Sequence, residues 1–186
     1  MDTHSIWDNM AQQYDTEDRV NIAKIIVQAV RSELKDTNGK TALDYGCGTG
    51  LVGFGLTDLF ASMLFVDASE QMIEHVNRKI RAEHISGVST LCCDFLKKRL
   101  VICSLIMLSS LRFCCILKNS RLILDRLYSL LKKDGHLIIV DFDKNEAISS
   151  DLVHNGFNQE ELKGLLLDMA LLLLLGIPFT MVRKSS

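Results

Sequence analysis

Asp44, Gly46, Gly48 and Gly50 are the residues of this 186-residue chain whose types and spacing point most directly to chemistry. They lie in LDYGCGTG, Leu43 to Gly50, where a strand-like run over 41–45 carries an acid and then breaks into glycines at alternate positions. Glycine has no β-carbon, so such a backbone turns tightly and lies close against a ligand. Amides exposed there, at the start of the helix expected to follow, attract the anionic end of a bound molecule. The chemistry is that of a nucleotide-type cofactor loop. Two more acids, Asp67 and Asp94, close later apolar runs, and a carboxylate in the position of Asp67 suits a pair of ribose hydroxyls.

These residues need a scaffold, and the pattern around them supplies one. Val20, Ala23, Val27, Val30 and Leu34 recur at helical spacing over 19–35, and Asp36-Thr37-Asn38-Gly39 stops that helix. The strand over 41–45 feeds the glycine loop, and residues 51–60 read as its helix. A second strand over 61–66 ends at Asp67. Ser69 caps a helix running to about Arg81, with Met72, Ile73, Val76 and Ile80 on one side. A third strand over 88–93 ends at Asp94, and 101–108 supplies a buried fourth. Asn119 or Ser120 opens an amphipathic helix to Leu131, and His136 to Phe142 is a buried strand. Asn158, with Glu161 three residues on, is a capping-box pattern.

Strands alternating with helices predict an α/β fold, a Rossmann-like three-layer sandwich with a mostly parallel sheet. In such sheets ligands bind outside the carboxyl ends of the strands, where Asp44, Asp67 and Asp94 are all expected. With no repeat and no flexible linker, 1–186 reads as one domain.

Composition narrows the class. Hydrophobic content of 48% with a net charge of -2 describes a soluble globular chain and gives no reason to expect a nucleic-acid partner. MDTHSIWDNM has neither the basic nor the apolar region of a secretory signal. The six cysteines include the adjacent pairs Cys92-Cys93 and Cys114-Cys115 but no Cys-x-x-Cys spacing. No metal site or disulfide framework is expected, and reduced cysteines fit a cytoplasmic protein.

Asp44 discriminates better than Asp67 between the cofactors such a loop takes. Gly48, Gly50 and Gly53 also satisfy G-x-G-x-x-G, a pattern shared with dinucleotide enzymes. An acid two residues before the first glycine, however, can face a bound ammonium group, whereas it would repel a pyrophosphate. At this point the chain resembles the class I S-adenosylmethionine-dependent methyltransferases. The match runs in order through LDYGCGTG, VDASEQM (66–72), CDFL (93–96) and LLKKDGHLIIVDF (130–142), with WDNMAQQYD (7–15) similar to the lid segment of the small-molecule branch. The nearest style is that of the quinone-biosynthesis methyltransferases.

The resemblance implies a lid over 1–18, a cofactor-binding core over 19–143 and an altered C-terminal region over 144–186. It assigns Gly46 and Gly48, with Gly50 in the same loop, to the methionine part of S-adenosylmethionine, and Asp44 to its amino end, directly or through water. Asp67, followed by Ala68, would hold the ribose. Met72 would pack near the adenine, Asp94 would meet the adenine amino group, Phe95 would lie beside the ring, and Tyr14 would close over the cofactor. Core packing is an equal reading for Met72 and Phe95, and Trp7 can equally anchor the lid. The reaction implied is methyl transfer to a small-molecule acceptor. His4, His75, His136 and His154 are bases by type, but none has a partner evident from sequence, so no catalytic residue is assigned.

Two stretches depart from the family. Cys114 and Cys115 stand near the place of a Leu-His element, and from Ala170 the chain reads ALLLLLGIPFTMVRKSS where relatives form two antiparallel strands. The apolar run is shorter than the roughly 20 residues that span a bilayer and contains Pro178. A lengthened helix and one stub strand are therefore expected, with the C-terminal strands incomplete or altered and no membrane anchor. Shifting the frame by two bases turns Cys114-Cys115-Ile116 into Leu followed by His or Tyr. The hypothesis this raises is a frameshift over 99–117 and another from about 170 onward, and an intact frame shared with related genes would count against it. A cofactor-binding remnant or interaction protein and an NAD(P)-dependent oxidoreductase are the alternative functions.

Overall fold

The computed structural model describes residues 14–94, 104–110, 120–140, 171–176 and 179–184. These form two compact units that divide after Asp94.

The first unit holds helix α1 (Glu17–Glu33), strand β1 (Thr41–Tyr45), a helical turn α2 (Leu51–Phe54) and a 3-10 turn (Thr57–Leu59). Strand β2 (Ser62–Asp67), helix α3 (Glu70–Glu83) and strand β3 (Val88–Cys92) follow. β1 pairs parallel with β2, and β2 parallel with β3, in the order β3-β2-β1. Tyr45 lies opposite Val66 and Asp67 opposite Cys92, so the three strands finish at one edge.

Helix α1 starts at Thr16, whose hydroxyl accepts the Arg19 amide, and buries Ala23, Ile26 and Val30. Its buried stripe is thus rotated slightly from the expected one, with Ile26 in place of Val27. Val27 instead abuts Gly55, where a β-carbon would come within 2.6 Å of its Cγ2. Helix α3 opens at Ser69, whose hydroxyl accepts the Met72 amide, and turns Met72, Ile73 and Val76 inward. It stops at His84, in the left-handed region at φ 51°.

The helix expected over 51–60 breaks after Phe54. Gly55 caps the turn through its amide, and Arg31 of α1 donates two hydrogen bonds to the Gly55 carbonyl, at 3.0 and 2.9 Å. Arg31 also pairs with the Asp58 carboxylate. That cation occupies the end of the turn, which stabilises it there.

The second unit contains β4 (Ser104–Ser110), α4 (Ser120–Leu130), β5 (Leu131–Val140), β6 (Leu171–Gly176) and β7 (Phe179–Lys184). β4 runs parallel to β5, whereas β7 pairs antiparallel with both β5 and β6. Leu124, Leu127 and Leu130 of α4 are buried at helical spacing, as are Leu137, Ile138 and Ile139 of β5. The α/β class with mostly parallel pairing holds. The lengthened helix and stub strand expected near the C-terminus do not: both segments are strands, and Leu171 to Gly176 pair residue by residue with Lys184 to Phe179. A short apolar run carries no period to distinguish helix from strand, and the ladder with β7 decides it. Trp7, the Cys114-Cys115 element and the helix expected after Asn158 lie outside the described residues. Among the described residues no helix is long and apolar enough to cross a membrane.

Candidate cofactor-binding site

The glycine loop is hung from the end of β2. The Gly46 and Cys47 amides both donate to the Val66 carbonyl, at 2.8 and 3.1 Å. Gly46, Gly48 and Gly50 have φ of 71°, 54° and 81°, a region that costs other residues roughly 1–2 kcal/mol each. Their alternation in the sequence is the record of that backbone. Gly53 is bare for another reason. A β-carbon there would lie 2.3 Å from Phe65 Cε1 and 2.6 Å from Asp44 Oδ2, so glycine is what lets the α2 turn sit directly on the Asp44 carboxylate.

Asp44, next to last in β1, and Asp67, last in the adjacent parallel β2, are 2% and 0% exposed. Asp67 is held from two sides: Oδ2 accepts the Gly48 amide at 2.8 Å and Oδ1 accepts the Ser69 amide at 2.9 Å. One carboxylate therefore sets both the crest of the loop and the start of α3. Asp44 is different. Burial, and then the nearby Asp67 charge, push its pKa up to about 7 against a hydrogen bond from the Gly53 backbone. Among the described residues no lysine, arginine or histidine forms an ion pair with it. Burial followed by the charges of Asp44 and Asp67 also raises the Cys47 thiol, which stays protonated and is no nucleophile. The edge thus has a strong bias toward a cationic ligand.

The remaining sequence candidates fall around this edge. The Cys93 amide bonds the Asp67 carbonyl at 2.8 Å, which brings half-buried Asp94 to the strand end beside Asp67. Ala68 is half-buried between Asp67 and the Ser69 cap. Met72 is 2% exposed in the first turn of α3. Tyr14 lies over the loop, its Cε1 3.7 Å from where a Gly48 β-carbon would be. His75 is half-buried and faces Asp15, with Nε2 3.7 Å from Oδ2. Phe95, His4 and His154 lie outside the described residues.

Sequence reasoning missed Asp15 and Thr49. The Thr49 hydroxyl donates to the Asp15 carboxylate, and with His75 they join three separate elements, which no local pattern announces. Among the described residues no group of three or more metal-ligating side chains could hold an ion, and Cys47, Cys92 and Cys93 are not in disulfides.

Comparison with known proteins gives the family. The profile of the family described as methyltransferase domain matches residues 36–170, well over half of the chain. The chain belongs to that methyltransferase family. No curated protein matches it in sequence. Among solved structures, this methyltransferase is similar to a SAM-dependent methyltransferase from Aquifex aeolicus at 18% identity and a TM-score of 0.75, over 95% of this chain and 96% of that one. It is also similar to magnesium protoporphyrin IX methyltransferase from Synechocystis PCC 6803 with bound SAH (14% identity, TM-score 0.73, 90% of this chain and 84% of that one). A SAM-dependent methyltransferase from Clostridium acetobutylicum matches at 15% identity and a TM-score of 0.66, over 98% of this chain and 97% of that one. The shared fold is the Rossmann-like α/β fold of class I methyltransferases.

Proposed function

We propose that the chain binds S-adenosylmethionine at the β1–β3 edge and transfers its methyl group to a small-molecule acceptor of the quinone-precursor kind. The observation that carries the reading is the pair of buried carboxylates, Asp44 and Asp67, beside a loop whose Gly48 amide is already aimed by Asp67. Asp44 would take the cofactor's ammonium group, Gly46, Gly48 and Gly50 would line its methionine part, and Asp67 with Ala68 would meet the ribose. Met72, Asp94 and Phe95 would flank the adenine, and Tyr14 would cover the site. When bound, the cofactor supplies an activated methyl group on a charged sulfur, so the protein contributes alignment and exclusion of water. No general base is assigned.

The small-molecule acceptor is supported by the resemblance of 7–15 to the lid of that branch and by the porphyrin acceptor named for the Synechocystis neighbour. The domain reading, 1–186 as one methyltransferase domain, is supported by a family match that crosses residue 94. A cytoplasmic, reducing setting belongs to the same reading, since the cysteine spacing outlines no disulfide framework. Titration calorimetry of the full chain with S-adenosylmethionine and, separately, NAD tests the cofactor. Binding of the first, weakened by Asp44→Asn, is expected, and binding of NAD alone would overturn the reading. Labelled methyl transfer to a panel of phenolic quinone precursors then tests the acceptor, and a binding chain that methylates none of a broad panel would favour the remnant reading.

A further inference from the structure

Tyr14, just ahead of α1, is fastened on two sides, and one of them belongs to that helix. Toward α1, its carbonyl accepts the Arg19 guanidinium and the Thr16 amide, each at 2.9 Å, and the Arg19 guanidinium lies 4.1 Å above its ring. Toward the cofactor loop, the fastening is made by the next residue. The Asp15 carboxylate accepts the hydroxyl of Thr49, which is 2% exposed between Gly48 and Gly50. Its other oxygen faces His75 of α3 at 3.7 Å, an ion pair when the imidazole is protonated. Side-chain exposures of 32% for Asp15 and 28% for His75 put this junction at the edge of the interior, where such bonds are less screened than on the open surface.

The ring of Tyr14 therefore reaches Gly48 through a chain of contacts whose loop end is one hydrogen bond. We propose that Asp15 is a positioning residue that latches the Tyr14 segment to the glycine loop and thereby sets how slowly a bound cofactor leaves. The proposal rests on the S-adenosylmethionine reading of the site. The action of Asp15 is on departure: a ligand lying along Gly48 passes the Tyr14 ring on the way out, and releasing the ring requires breaking the Asp15–Thr49 bond.

The test preloads the full chain with radiolabelled S-adenosylmethionine, chases with excess unlabelled cofactor and follows retained label. Asp15→Ala is expected to release label about tenfold faster, the scale of one part-buried hydrogen bond, with the association rate constant within about twofold of wild type. Asp15→Asn keeps an acceptor for Thr49 and loses the charge facing His75, so its release falls between the two. Thr49→Val removes the same bond from the loop side. If the latch is one bond, the double variant releases no faster than the faster single variant. A merely structural role would lower the thermal midpoint of the unliganded chain without changing release. Release from Asp15→Ala at the wild-type rate overturns the proposal. Should that variant fail to fold, wild-type release from Thr49→Val overturns it equally. A wild-type chain that retains no label refutes the cofactor reading itself, a result distinct from an unchanged release rate.

Discussion

Asp67, the last residue of β2, accepts the amide of Gly48 at 2.8 Å, so a side chain 19 residues downstream holds the crest of the glycine loop. The same carboxylate accepts the Ser69 amide at 2.9 Å. Removing it strands two buried donors at once. Asp67→Ala is expected to cost roughly 2–6 kcal/mol, at about 1–3 kcal/mol per unsatisfied group, and to weaken S-adenosylmethionine at least about tenfold. Asp67→Asn, which retains one oxygen, is expected to lose about half as much. Urea unfolding and calorimetry measure both, and an Asp67→Ala variant as stable as wild type would contradict the assigned bonds.

The pH dependence turns on Asp44. Its pKa is raised from 3.8 to about 7 in the folded chain, chiefly by burial and then by Asp67. Between those values the native state holds a proton that the unfolded chain does not. The stabilising contribution is therefore full below about pH 4 and is lost as pH rises through about 7. Asp44→Asn should flatten this slope, so that its thermal midpoint declines less than that of wild type between about pH 5 and pH 8. Binding of a cation has the opposite sign, because it favours ionised Asp44. Affinity should climb with pH, approaching tenfold per unit below about 7 and levelling above. Calorimetry in buffers of differing ionisation enthalpy should find close to one proton released at about pH 6 and little at about pH 8.

Gly53→Ala tests the close approach of α2. The added carbon would lie 2.3 Å from Phe65 Cε1 and 2.6 Å from Asp44 Oδ2, and neither neighbour is free to retreat, since Phe65 is 0% exposed and stacked at 4.8 Å on Phe54. A loss of about 1–3 kcal/mol is expected from such overpacking, against the small gain alanine would bring to an ordinary helical position. Chemical denaturation decides the sign.

The two helix caps of the first unit should differ in worth. Ser69 is buried and accepts the Met72 amide at 3.2 Å, whereas exposed Thr16 accepts the Arg19 amide at 3.4 Å. Ser69→Ala should cost about 1 kcal/mol or more and Thr16→Ala less than about 0.5 kcal/mol. Equal losses in thermal melts would show that burial does not set their value.

Much of this was legible in the residues, for reasons that differ by element. β1 was readable because its apolar run meets Asp44 and the alternating glycines, whose positive φ values leave no other economical choice of residue. α3 was readable because Ser69 marks its start and Met72, Ile73 and Val76 share a face. The break at Gly55 was not, because it depends on Arg31, 24 residues away, reaching its carbonyl. Leu171 to Gly176 misread because five leucines in a row fit either element, and only β7 supplies the missing half of the ladder. Segments that depart from the family at 104–110, 171–176 and 179–184 still form strands, since strand formation asks for apolar and β-branched content more than for particular residues. The Asp15–Thr49–His75 junction was illegible for the opposite reason, being specific in residues but spread across three elements.

The division after Asp94 has a consequence for how the chain is made. The bonds that hang the loop from the Val66 carbonyl and Asp67, the Gly50 to Cys47 turn and the Arg31 clamp on Gly55 and Asp58 have both ends within residues 14–94. Ribosomes add about 5–20 residues per second, so residues 95–186 take roughly 5–20 seconds more to appear. Turns and short helices form in microseconds. The proposed cofactor residues from Tyr14 to Asp94 are thus in hand before Phe95 and the residues after it are made, and translation itself orders the assembly, glycine loop first.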